Sequence, residues 1–217
     1  MYEKSKNLKV LLEGGVIPVV RAESSDEALK VVDAIREGGI NTIEITMTVP
    51  GAIEVMGEVS IKLGEDVLLG AGTVLDAETA RACILAGAKF IVGPCLNLEM
   101  LKLCKRYSIL AIPGAMTPTE ILTAWEAGAD VVKVFPAGNL GGADYIKAIK
   151  APLPQILLNP TGGIDLTNAK DFIKAGAAAI SVGSSLVDKK AIAQGKYNII
   201  SENARKFIEE VKKGRAG

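Results

Sequence analysis

The chain has 217 residues, of which 49% are hydrophobic but only 4% aromatic, and its 25 basic and 25 acidic residues cancel. That length suits one α/β domain, and an aliphatic core suits strands buried on both faces; a neutral balance gives no electrostatic reason to expect nucleic acid or an anionic membrane as partner. With no histidine, Ser-His and Cys-His nucleophilic pairs and histidine-ligated metals are excluded, and three cysteines without ligand spacing (Cys83, Cys95, Cys104) point to a reduced cytoplasm rather than a disulfide framework.

The first twenty residues carry a short apolar run that Glu13, Gly14 and Gly15 interrupt, and no stretch reaches bilayer length. They read as a leading helix and a first strand, not as a signal peptide. From there, β-branched runs bounded by Gly, Pro or polar residues recur: Val16–Arg21, Thr42–Thr48, Leu68–Val74, Phe90–Cys95, Leu110–Ala115, Val131–Pro136, Ile156–Gly163 and Ala179–Leu186. Their starts lie 20 to 26 residues apart, room for one strand, two short loops and a helix of about ten residues. Strands alternating with helices imply parallel crossovers, and eight such units close a barrel. The expected fold is therefore α/β, a single-domain (β/α)8 TIM barrel over residues 1–217, with the leading helix and a C-terminal helix.

Between the strands, Ser24 with Glu27 and Thr117 with Glu120 have capping-box spacing, and Pro118 suits a first helical position. Asp76 and Asn97 are placed to cap the helices that follow the third and fourth strands, and Gly38, Gly87, Gly128 and Gly176 to stop helices. The segment Gly195–Gly217 reads as an amphipathic helix with a frayed basic tail. No linker, low-complexity tract or second domain is visible.

In a barrel of this kind chemistry sits at the C-terminal ends of the strands. The polar residues there are Arg21, Glu44 with Thr46 and Thr48, Thr73, Cys95, Thr117, Lys133, Thr161 and Ser184. Lys133 stands in Val-Val-Lys-Val-Phe-Pro. Walls of that kind exclude water and disfavour an ammonium, and a neutral amine can add to a ketone to form an imine. The bland alternative is a lysine that snorkels out or pairs with a carboxylate. Glu44, in Thr-Ile-Glu-Ile-Thr, is the one acidic residue inside any of the eight runs and could serve as general base and acid, or simply as an ion-pair partner. Pro160-Thr161-Gly162-Gly163 and Gly183-Ser184 place backbone N–H groups after strands seven and eight, where barrels bind phosphate. Gly70-Ala71-Gly72-Thr73 lacks the context of a dinucleotide fingerprint. Cys95 reads as packing or a pocket wall.

The blocks Ile43-Glu44-Ile45-Thr46, Gly70-Ala71-Gly72-Thr73-Val74, Pro113 to Glu120, Lys133-Val134-Phe135-Pro136 and Asn159 to Ile164 resemble, in order, those of the 2-keto-3-deoxy-6-phosphogluconate aldolase family, also called the 4-hydroxy-2-oxoglutarate aldolase family. The resemblance implies a metal-independent, cofactor-free cleavage of a phosphorylated 2-keto acid that yields pyruvate. It implies a Schiff base on Lys133, acid–base work by Glu44, and a keto-acid contact from Thr73. It also implies substrate contacts from Phe135 and Thr161 and a phosphate turn at Gly162 and Gly163, continued by Gly183 and Ser184. Homotrimers are expected on the same ground. Many family members carry an arginine shortly after the E-x-T block, where this chain has Thr48; Arg21 is the substitute expected to hold the carboxylate. Two other readings stay open on fold alone: an epimerase or synthase acting on a phosphosugar, and a non-catalytic barrel scaffold.

Overall fold

The computed structural model describes residues 2–216. Ten α-helices, two short 3-10 helices and nine strands follow one another among them, mostly in alternation. The strands are β1 (Val16–Val20), β2 (Thr42–Thr46), β3 (Leu68–Gly72), β4 (Phe90–Val92), β5 (Leu110–Ile112), β6 (Gly114–Ala115), β7 (Val132–Val134), β8 (Leu158–Pro160) and β9 (Ile180–Val182). The helices are α1 (Tyr2–Gly14), α2 (Ser25–Glu37), α3 (Ala52–Leu63), α4 (Ala77–Leu85), α5 (Leu98–Arg106), α6 (Pro118–Glu126), α7 (Gly142–Lys150), α8 (Ala169–Lys174), α9 (Lys189–Ala193) and α10 (Tyr197–Arg215).

All pairing is parallel, in one sheet ordered β5-β4-β3-β2-β1-β9 and another ordered β6-β7-β8. Pro113 divides the expected fifth run into β5 and β6, because proline has no N–H to give to a ladder. A lone parallel bridge between Thr161 and Ser181 joins the β8 side of one sheet to β9 of the other. Several strands are shorter than their sequence runs because the last residues turn into loops: Thr73, Gly162 and Gly163 all have positive φ.

Alternation along each strand sorts side chains between two cores. One face packs on the helices through Val16, Val20, Ile43, Ile45, Leu69, Ile91, Val132 and Val134. The other, inner face gathers Ile17, Leu68, Phe90, Val92, Leu110, Ile112, Val131 and Ala179, with Leu11 of α1 packed among them. Phe90 lies where a Cβ on Gly70 would stand, so that glycine is a space requirement rather than a turn.

The expected caps form. Ser24, Asp76, Asn97 and Thr117 each accept a backbone N–H of the helix they precede, and Thr117 with Glu120 makes a full capping box. The tail does not fray as its sequence suggested: α10 stays helical through Arg215, whose guanidinium donates to the carbonyls of Leu12 and Glu13 at the end of α1. Those carbonyls have no intrahelical partner, so the arginine satisfies α1 and fixes α10 together. Gly217 lies outside the described residues. No helix among the described residues is long and apolar enough to cross a membrane.

Candidate active site

Glu44 and Lys133 both project from strand interiors and are 1% and 6% exposed. Glu44 lies in register with Val19 and Gly70, Lys133 with Gly114 and Asn159. The Glu44 carboxylate occupies the space a side chain on Gly72 would need; any Cβ there would overlap it. Neither carboxylate oxygen has a hydrogen-bond partner among the described residues. Burial pushes the Glu44 carboxyl above the usual carboxylate range, and the charges of Lys133 and Arg21 pull it back only in part. A carboxyl held in this way can give up and recover a proton nearer neutral pH, as general acid–base work requires. Lys133 Nζ stands 5.2 Å from the centroid of the Phe135 ring, within the range of a cation–π contact. The loop after β8 passes beside that ring with Gly162 at φ 90°, a left-handed conformation that favours glycine.

The other residues singled out from sequence lie at or just beyond the C-terminal ends of the strands. Arg21 is exposed just beyond β1, and with Thr48, Lys189 and the neighbouring Glu23 and Glu27 it lines a cavity of about 360 Å³. Among the described residues Arg21 makes no ion pair, although Glu23 and Asp26 are near it in sequence. Thr46 shares a 2.6 Å hydrogen bond with Thr48 and donates to the carbonyl of Val20 at 3.3 Å, which ties the ends of β1 and β2 together. Thr73 follows β3 with φ 60°, a left-handed conformation that costs a β-branched residue about 1–2 kcal/mol. Strain of that kind persists where surrounding structure imposes it, often at functional sites.

Thr161 is buried, Gly162 and Gly183 are half-buried, and Gly163 and Ser184 are exposed. The N–H groups of Gly162, Gly163, Ser184 and Ser185 donate to no protein acceptor among the described residues, so four donors at two neighbouring loops are free for an anion. The helix end behind the second loop is not free in that sense, since Asp188 accepts from Lys190 and Ala191 at the start of α9. A larger hollow of about 630 Å³ lies at the opposite end of the strands, and its charges are already matched: Lys6 with Glu65, Arg36 with Asp66, Lys89 with Glu3. Cys83 and Cys104 are buried, their thiols pushed up to about 11 and about 12 by burial, which suits packing rather than nucleophilic work. No cluster of three or more metal-ligating side chains occurs among the described residues.

Three residues that matter here were not singled out from sequence. Gly72 is needed to seat Glu44. Asn159 is fully buried, and its Nδ2 donates to Oγ of the buried Ser181 at 2.8 Å. The available signal was the one that exposed Lys133: a polar residue inside an apolar run, here Ile-Leu-Leu-Asn-Pro.

A sequence profile described as KDPG and KHG aldolase matches residues 8–203. A 2-dehydro-3-deoxy-phosphogluconate aldolase from Haemophilus influenzae is 33% identical over 211 residues, covering 97% of this chain and 99% of that protein. A 2-dehydro-3-deoxy-6-phosphogalactonate aldolase from Escherichia coli is 36% identical over 172 residues, 79% of this chain and 83% of its own length. Among solved structures, KDPG aldolase from Legionella pneumophila, with pyruvate captured as a covalent carbinolamine, superposes with a TM-score of 0.85 at 30% identity, covering 92% of this chain and 96% of that one. The chain belongs to the KDPG and KHG aldolase family.

Proposed function

We propose that this protein is a class I aldolase that cleaves 2-keto-3-deoxy-6-phosphogluconate to pyruvate and glyceraldehyde 3-phosphate, with 4-hydroxy-2-oxoglutarate as a second substrate. The observation that carries the reading is a buried lysine together with a buried carboxyl that has no hydrogen-bond partner among the described residues and feels the lysine's charge. The Lys133 amine adds to the C2 ketone as a carbinolamine, and loss of water leaves a protonated imine. Glu44 takes the proton of the C4 hydroxyl, the C3–C4 bond breaks, and its electron pair moves through C3 and C2 to neutralise the imine nitrogen. The aldehyde departs. Glu44 then returns its proton to C3 of the enamine, and water hydrolyses the imine to release pyruvate.

Arg21 and Thr73 hold the carboxylate, Phe135 walls the imine, and Thr161, Gly162, Gly163, Gly183 and Ser184 hold the phosphate. The free loop N–H groups and the glycines' close approach support that last assignment. Fixing both ends of the substrate aligns the scissile bond with the lysine and the carboxyl. No metal or other cofactor is required, because the cationic imine is itself the electron sink, and turnover is expected to survive exhaustive chelation.

The two sheets, through the Thr161–Ser181 bridge and the run from β5 into β6, are read as one closed single-domain (β/α)8 barrel. A homotrimer is proposed because Leu75, Leu98, Met116 and Leu122 remain exposed around the ends of neighbouring strands and the helix that follows them. The three free cysteines fit a reducing cytoplasm.

Borohydride reduction in the presence of pyruvate tests the reading. One lactyl-type adduct on the peptide Val132-Lys133-Val134 is expected. Modification of Lys147 or Lys150 instead would remove Lys133 from the mechanism, and no adduct at all would favour a phosphosugar epimerase or synthase.

A further inference from the structure

Asn159 is the neighbour of Lys133 on the next strand: their Cα atoms are partners in the parallel register of β7 and β8, so both side chains leave the same face of the sheet. Its side chain is fully buried and is half satisfied. Nδ2 donates to Ser181 Oγ at 2.8 Å, while Oδ1 has no partner among the described residues. A buried amide oxygen left in that state is unusual and costly, because such groups are nearly always hydrogen-bonded.

The planar amide gives the direction of that oxygen. β8 lies between β7 and the β9 side, where Ser181 sits across the bridge from Thr161. Nitrogen and oxygen diverge from the amide carbon, so an amide whose nitrogen reaches Ser181 has its oxygen on the side away from it, the side of β7, where it makes no hydrogen bond among the described residues. The Lys133 nitrogen carries only donors as an ammonium or a protonated imine, and keeps one N–H donor as a carbinolamine. An acceptor beside it is complementary in each of those states, and the low dielectric of the buried site strengthens the contact.

We propose that Asn159, oriented by Ser181, is a positioning residue for the Lys133 nitrogen: its Oδ1 accepts the N–H of the carbinolamine and of the protonated imine, holding the nitrogen and stabilising its positive charge. The inference rests on the Lys133 reading above. Asn159 does not react. It provides a fixed dipole beside the nitrogen, an arrangement that favours the charged imine over the neutral amine and ketone from which it forms.

The test compares borohydride trapping with pyruvate in the wild type, Asn159→Leu and Ser181→Ala, together with thermal melting of each. Asn159→Leu keeps the approximate shape and removes the unpartnered oxygen together with the hydrogen bond to Ser181, two effects of opposite sign, so its melting temperature should stay close to that of the wild type. At saturating pyruvate its trapping rate should fall at least about tenfold, the size of a hydrogen bond to a charged group, while the half-saturating pyruvate concentration changes less than about twofold. Ser181→Ala leaves the acceptor in place but frees the amide to turn, and should lower the same rate by a smaller factor. Full-rate trapping in Asn159→Leu, with the wild type modified on Lys133, overturns this inference alone. So does a loss of rate accompanied by an equal rise in half-saturating pyruvate and a lower melting temperature. Absence of a Lys133 adduct in the wild type overturns the Lys133 reading and this inference with it.

Discussion

The inner face of the sheet changes character within two residues. On its lower level are Ile17, Leu68, Phe90, Leu110, Val131 and Ala179, packed with Leu11 from the leading helix. Two positions further along the same strands, Val131 gives way to Lys133, Leu157 to Asn159, Ala179 to Ser181 and Thr42 to Glu44, whereas β4 and β5 stay apolar with Val92 and Ile112. The two levels share strands, helices and hydrogen-bond ladders. They differ in what burial does: below, removal from water is the stabilising effect itself, and above, it raises the Glu44 carboxyl and leaves polar atoms of Glu44 and Asn159 without partners among the described residues. A dry, close-packed lower level allows the fold to carry a costly upper one.

Emptying the lower level should give the largest loss of stability and leave chemistry nearly untouched. Leu11→Ala removes a fully buried side chain and should cost about 2–5 kcal/mol in chemical denaturation, with kcat and KM for cleavage close to wild type in the remaining folded enzyme. A large kinetic effect without loss of stability would show that the two levels are not separable.

Glu44→Gln should do the reverse. Cleavage should slow by at least about 10²-fold while pyruvate trapping on Lys133 survives. The variant should also be more stable than wild type at neutral pH. Because burial raises the Glu44 carboxyl in the folded state, the folded protein binds this proton more tightly than the unfolded chain does. Its contribution is therefore present at low pH and is lost as the pH climbs from the ordinary carboxylate range to the raised folded value. The difference in melting temperature between variant and wild type should widen over that window and vanish below it; a constant difference would mean that Glu44 titrates normally.

Smaller effects come from the rim. Arg21→Ala should lower kcat/KM by about 10- to 150-fold for phosphorylated and unphosphorylated keto acids alike. Ser184→Ala should weaken the phosphorylated substrate only. Unchanged turnover in Arg21→Ala would leave the carboxylate to Thr73. The smallest shift is expected at that residue: Thr73→Gly relieves the left-handed backbone and should leave stability unchanged or raise it by about 1 kcal/mol, even as substrate binding weakens.

Much of this was legible in the linear chain. Parallel strands buried on both faces demand long aliphatic runs at even spacing, so eight runs with capped helices between them announced the alternating fold. Charged residues inside such runs, Glu44 and Lys133, stood out for the same reason. The sequence did not show which buried polar groups face one another, because register and strand adjacency bring together residues far apart in the chain. Asn159 became interesting only when the ladder set it beside Lys133 and across from Ser181. Likewise Gly72 was only one glycine of the third run until the pairing of β2 with β3 laid the Glu44 carboxylate over it. Arg215 gave the same lesson at the C-terminus: a basic tail predicts fraying, and only the meeting of α1 with α10 gave its guanidinium two carbonyls to hold. Local patterning determined the elements and the unusual residues within them; contact across the sheet decided which of those residues act together.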